Sequence, residues 1–215
     1  GQIVLTYQRK VQVWKKNLDA PVADGEVAPK DVAVSLELPA YDAGRNYRAL
    51  AHLSNPDTYF EDFTAGDVLE HWRGRVVTND HIVLTGMLDN TSQVHCNQWM
   101  VDQEPERFVG GKLIVFGGIP FQLCLGLSCP DVGDNALGDV RYVTGRHTAP
   151  IFAGDTVFAS TEIKDLRELP GRADLGIVAC NLRGHKFAKK DGKAERIEIF
   201  YLEREMAVKR RSHYA

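Results

Sequence analysis

The stretch Ile119–Leu127, IPFQLCLGL, constrains the fold more than any other part of the chain. At helical spacing it is apolar nearly all round, and a helix of that kind has no face to give to water. Something must wrap it. Pro120 falls in the first turn of such a helix, where its missing N–H costs nothing. Asp131 to Gly133 supplies the stop. The wrapping material comes afterwards. Strand patterns occur around LGDVRYVTGRHTAP, GDTVFASTEIKDLREL, LGIVACNLRGHKF and RIEIFYLEREMAVKRR, with turn signals at Ala153-Gly154-Asp155, Leu169-Pro170-Gly171-Arg172 and Lys190-Asp191-Gly192. Upstream, TYFEDFTAGDVLEHWRGRVV gives a short aromatic lead-in, a Gly66-Asp67 turn and a strand. Thr78 and Asn79 then offer cap oxygens to a short helix with Ile82, Val83 and Leu84 on its apolar face. Helices early and long antiparallel strands late mean an α+β domain, a central helix clasped by a curved sheet.

The N-terminus does not belong to that pattern. Residues 1–16, GQIVLTYQRKVQVWKK, alternate apolar and polar positions and are rich in β-formers, so they read as a strand. Residues 17–54 carry Pro21, Pro29 and Pro39 and read as an extended linker. A lone strand leaves its ladder groups unpaired. It must pair with the sheet of the main domain, residues 55–215, or be the tail end of a longer chain.

Composition narrows the chemistry. The net charge of -3 argues against nucleic acid as the main partner, since phosphate binding depends on a basic surface. No apolar run approaches the roughly 20 residues of a membrane helix, and the first residues do not resemble a signal peptide, so no membrane association and a cytoplasmic location are expected. The four cysteines lack C-x-x-C spacing and read as reduced thiols. The seven histidines are scattered, and no metal site is expected.

One polar segment carries candidate chemistry: LDNTSQVHCNQW, Leu88 to Trp99, with His95 five residues after Asn90. An isolated histidine in such a segment is more often solvated or bonded to backbone than catalytic. The doublets Gly110-Gly111 and Gly117-Gly118 serve either turns and close packing or a ligand; they do not match a G-x-G-x-x-G fingerprint. Cys96 has no accompanying oxyanion motif, and Asp155 reads as a turn residue.

Taken together, YFEDFTAGD, the N-x4-H segment NTSQVHCN, GGKLIVFGG, GRHTAPIFAGDTVFA and ELPGRADLGIV resemble the MaoC-type hot-dog hydratases. More narrowly they resemble the second half of the double hot-dog mesaconyl-CoA hydratases, also called β-methylmalyl-CoA dehydratases. The resemblance runs from about Tyr59 to the C-terminus. Residues 1–16 are similar to the strand closing a first hot-dog repeat, which would explain the orphan strand. The resemblance implies a hot-dog fold and a lyase that reversibly hydrates a short branched or dicarboxylic enoyl-CoA, with coenzyme A entering as thioester substrate and no cofactor. It implies a second hot-dog repeat or subunit as partner, within one chain or across a homo-oligomer such as a dimer. It gives His95 the role of acid and base, and backbone N–H groups at Gly117 or Gly118 the thioester oxygen. Val94, Phe116, Arg146, His147 and Thr148 would line the substrate or its CoA arm, although Arg146 and His147 could equally close an edge strand. One departure stands out. Where the relatives' D-x4-H motif has an acid, this chain has Asn90, which can orient a water but cannot take its proton. A thioesterase, or a degenerate half that only binds a CoA thioester, are the competing readings.

Overall fold

The computed structural model describes Asp19, Pro21 and residues 37–215. The strand expected at 1–16 lies outside the described residues, as does nearly all of the linker up to residue 36. The unit Ala40–Ala215 carries the fold. Its first stretch is more ordered than a linker need be. Tyr47–Leu53 winds into 3-10 turns, capped by Asn46, whose side chain accepts from the Ala49 N–H. Tyr41 and Tyr47 pack on Tyr214, the Tyr47 and Tyr214 rings lying 4.7 Å apart.

Strand β1 (Val68–Val76) starts after a turn at Gly66, where φ is +97°. Helix α1 (Asn79–Met87) begins with a reciprocal cap, the Thr78 N–H donating to His81 Nδ1 at 3.0 Å. Two short helices follow, α2 (Gln93–Cys96) and α3 (Gln98–Gln103), hinged at Asn97, whose side chain accepts from the Met100 N–H. The apolar run forms α4 (Gly118–Ser128) with Pro120 in its first turn, as the sequence requires. It does not stop at once: Cys129–Gly133 adds a π-helical turn. Four long strands complete the domain, β2 (Ala136–His147), β3 (Thr156–Glu168), β4 (Leu175–Lys190) and β5 (Lys193–Lys209), followed by a one-turn helix α5 (Arg211–Tyr214). The sheet order is β1-β3-β4-β5-β2, antiparallel throughout. The β4–β5 hairpin closes through Asp191 and Gly192, with φ of 51° and 77°, the two positive values that a tight turn matched to strand twist demands.

Helix α4 lies on the concave face. Ile119 and Cys124 meet Val157 and Ala159 of β3, Leu182 of β4, and Ile199, Phe200 and Leu202 of β5. Fully burying a side chain such as Leu182 stabilises by about 1.5–3 kcal/mol. Gly184 lets the Cys124 sulfur settle against the sheet, in space a Cβ would fill. This is the clasped helix of a hot dog, with one difference from a complete wrap. Gln122 and Gly126 are exposed, Phe121 and Leu125 only half-buried, and β2 is exposed from Arg141 onward. The sheet covers one flank of α4. Beyond β2, which has a neighbour on one side alone, the chain supplies no further strand among the described residues.

Candidate active site

The polar segment is built as a chain reversal followed by one helical turn. Asp89 adopts a left-handed conformation (φ 54°), and Asn90 steadies the turn by accepting the Ser92 N–H on its side-chain oxygen at 3.0 Å. That leaves the Asn90 NH2 group without a partner among the described residues. The turn delivers His95 on α2, and its Nδ1 lies 2.7 Å from the Ile114 carbonyl oxygen. A carbonyl only accepts, so Nδ1–H donates to it, and in a neutral imidazole that leaves the lone pair on Nε2. His95 is thus held by backbone through one ring nitrogen, the other standing on the opposite edge of the ring. The Ile114 N–H donates to the Val94 carbonyl and the Val115 N–H to Ile151, so the strand-like run 114–115 is held from both sides. Val94 contributes backbone there.

The imidazole of His95 meets Phe116 edge-on, ring centroids 5.8 Å apart. Phe116 in turn lies over the start of α4. Here the amide inventory is unusual. Ile119 N–H bends back to the Phe116 carbonyl, Pro120 has no N–H, and Phe121 N–H bonds to Gly117. The amides of Gly117 and Gly118 find no acceptor among the described residues, at the positive end of the helix dipole. The glycines also make room, though for rings of this same chain. A Cβ at 117 would come within 2.5 Å of His147 Nε2, and one at 118 within 2.5 Å of Phe116.

His147 ends β2 on the side facing α4, with its ring 5.4 Å from Phe200. Although the residue as a whole is partly exposed, desolvation of its ring beside Phe200 and Gly117 lowers its pKa, so it is neutral near pH 7, and its ring nitrogens have no hydrogen-bond partner among the described residues. Arg146 precedes it and therefore points to the other face of the sheet, its guanidinium 4.3 Å over the Tyr201 ring. Thr148 closes the strand: its hydroxyl donates to the Glu198 carbonyl at 2.7 Å and its N–H to Ile199. Of the residues singled out in the sequence, His95, Phe116, Gly117, Gly118 and His147 gather around the start of α4, while Arg146 and Thr148 do not.

Sequence reading passed over a second histidine. His71 is buried on β1, with Nδ1 2.7 Å from Asp131 and Nε2 2.8 Å from the Thr161 hydroxyl. Desolvation keeps it neutral despite the carboxylate. Its own ring is buried while Asp131 reaches solvent, and the two bonds tie β1 and β3 to the π-helical turn. The alternation of β1, which sends His71 inward, was the available signal. No cluster of metal-ligating side chains occurs among the described residues, and none of their helices is long and apolar enough to cross a membrane.

No protein-family model matches the sequence. Among curated proteins, the β-methylmalyl-CoA dehydratase of Chloroflexus aurantiacus is 34% identical over 194 residues, covering 88% of this chain and 52% of that protein. The mesaconyl-CoA hydratase of Cereibacter sphaeroides is 31% identical over 196 residues, covering 85% and 51%. The chain spans about half the length of these relatives. Among solved structures, a MaoC domain protein from Chloroflexus aurantiacus superposes with a TM-score of 0.72 at 27% identity, over 92% of this chain and 57% of that one. A MaoC-like dehydratase from Rhodospirillum rubrum gives 0.55 at 18% identity, over 71% of this chain and 97% of that one. A Mycobacterium tuberculosis protein with a double hotdog fold gives 0.57 at 19%, over 74% and 43%. Both of these weaker likenesses speak for the fold.

Proposed function

A relative of the MaoC-type hot-dog hydratases, this chain is, we propose, the catalytic repeat of a hydro-lyase that reversibly hydrates a short branched or dicarboxylic enoyl-CoA. One observation carries the reading: a histidine with Nδ1 fixed on a carbonyl packs edge-on against Phe116, which leads into a helix start whose two glycine amides have no partner among the described residues. In hydration, His95 Nε2 takes a proton from water as the oxygen attacks C3 of the enoyl group. Electron density moves onto the thioester oxygen, where the Gly117 and Gly118 N–H groups and the α4 dipole stabilise it. The resulting enolate collapses and C2 takes a proton, returned by the His95 imidazolium. Asn90 orients the water through its free NH2, its oxygen being occupied in the turn. His147, neutral and beside Gly117, borders the thioester.

The partner we assign is another hot-dog repeat. The exposed β2 edge and the open flank of α4 are where it would pair, in one longer chain or in a homo-oligomer. The names of the two curated relatives and their doubled length support this, as do the free thiols among the described cysteines for a reducing, cytoplasmic setting.

The test is loss of enoyl-thioester absorbance with full-length protein. His95→Ala should reduce kcat by roughly 10²–10⁴, the usual worth of general acid–base catalysis. Equal rates would remove His95 from the mechanism. Release of free thiol would identify a thioesterase. Tight thioester binding without turnover would mark a binding half, the reading that Asn90 in place of an acid favours.

A further inference from the structure

His147 brings two polar ring atoms to the start of α4 and pairs neither of them among the described residues. It is the last residue of β2, its ring rests on Phe200 at 5.4 Å, and the two planes are tilted by 39°. A Cβ at position 117 would lie 2.5 Å from Nε2 and 3.0 Å from each of Cδ2 and Cε1. Those three distances fix the orientation: the Nε2 corner of the ring points at Gly117. A side chain at 117 would collide with it.

Packing alone does not account for an imidazole in that place. A phenyl ring would make the same contact with Phe200 and bring no polar atoms. Drawing unpaired polar atoms away from water costs free energy, which a ligand that pairs them returns. The Gly117 and Gly118 N–H groups are unpartnered in the same way and at the same spot. Desolvation holds the ring neutral near pH 7, and a neutral imidazole beside a helix start can polarise a carbonyl without surrendering its proton. His95 is equipped differently. Its Nδ1 is committed to the Ile114 carbonyl, and its other nitrogen is left for proton transfer. The two histidines therefore divide the chemistry between them, one moving protons and one holding its own.

We propose that His147 is a third hydrogen-bond donor to the thioester oxygen, its Nε2–H meeting the same oxygen as the Gly117 and Gly118 amides. It keeps its proton throughout. This deepens the hydratase reading and rests on it.

The experiment uses full-length protein and two probes. The first is hydration of mesaconyl-CoA. His147→Phe keeps a ring on Phe200 and drops the donor, so kcat should fall by roughly 10²–10³ with KM within about twofold, the signature of a contact made in the transition state. His147→Gln carries an N–H donor of its own and should recover part of the rate. The second probe is isobutyryl-CoA labelled with 13C at the thioester carbon, which has no double bond to hydrate. Its carbonyl resonance should move downfield on binding to the wild type and less far on binding to His147→Phe. A role in packing alone would leave that shift unchanged. A His147→Phe protein with wild-type kcat, or with the wild-type carbonyl shift, overturns the donor role, while wild-type hydration keeps the hydratase reading standing. A wild-type protein that hydrates no mesaconyl-CoA counts against that reading, and the carbonyl shift then decides the donor role by itself.

Discussion

The two flanks of α4 are made of similar residues and meet opposite conditions. On the inner flank, Ile119 and Cys124 are packed against Leu182, Ile199 and Leu202 of the sheet with no solvent left between them. On the outer flank, Phe121 and Leu125 are half-covered, Gln122 and Gly126 face solvent, and the neighbouring β2 is exposed from Arg141 onward. The inner flank is what folds this chain. The outer flank is apolar material that the described residues cover only in part.

Substitutions can break that contrast or sharpen it. The largest stability effect belongs to the closed side. Leu182→Ala should cost about 2–5 kcal/mol, a fall in Tm of roughly 10 °C, followed by thermal or denaturant unfolding. Val143→Ala, on the exposed edge strand, should stay within about 0.5 kcal/mol. An equal cost at both positions would erase the distinction.

A second effect is electrostatic and also closed. Asp174 is buried, gripped by Arg172 at 2.8 and 2.9 Å and by the Tyr214 hydroxyl at 2.7 Å. The Arg172 hydrogen bonds, above all, hold its carboxyl down to about 2. Because the folded value is depressed, the stabilisation is complete above the unfolded value of about 3.9 and is lost as pH falls towards 2. Asp174→Asn should lower stability at neutral pH by about 2 kcal/mol and flatten the acid limb between pH 4 and 2.

The smallest effect tests the open side. A Cβ at Gly126 meets nothing within 4 Å, so Gly126→Ala should stabilise this chain by about 0.5–1 kcal/mol through helix propensity alone. If the proposed second hot-dog repeat packs on this flank, the same change made in the assembled protein should lose that gain.

Much of this architecture was legible in the chain. The apolar run with Pro120 in its first turn fixed α4, and the turn residues at 153–155, 169–172 and 190–192 divided the strands correctly, because these signals are local steric facts. The one-sided wrap was not legible: an all-round apolar helix announces a need for cover without saying whether its own chain provides it. At the site, His95 was visible through its spacing to Asn90. Its bond to Ile114, nineteen residues on, was hidden, since a pairing at that distance depends on how the intervening helices fold. His147 and Arg146 looked alike in sequence and parted only when strand alternation sent one towards α4 and the other away. The glycine doublet left close packing and a ligand equally open in the sequence, and here it houses the His147 and Phe116 rings.

The tight reversal at Asp191-Gly192 has a kinetic consequence. It joins the two longest strands with the shortest possible loop, so ordering β4 against β5 demands very little closure entropy and can zip outward from the bend in microseconds. The centre of the platform on which α4 packs can therefore form from neighbours in the chain, before β1 and β2 find their distant partners.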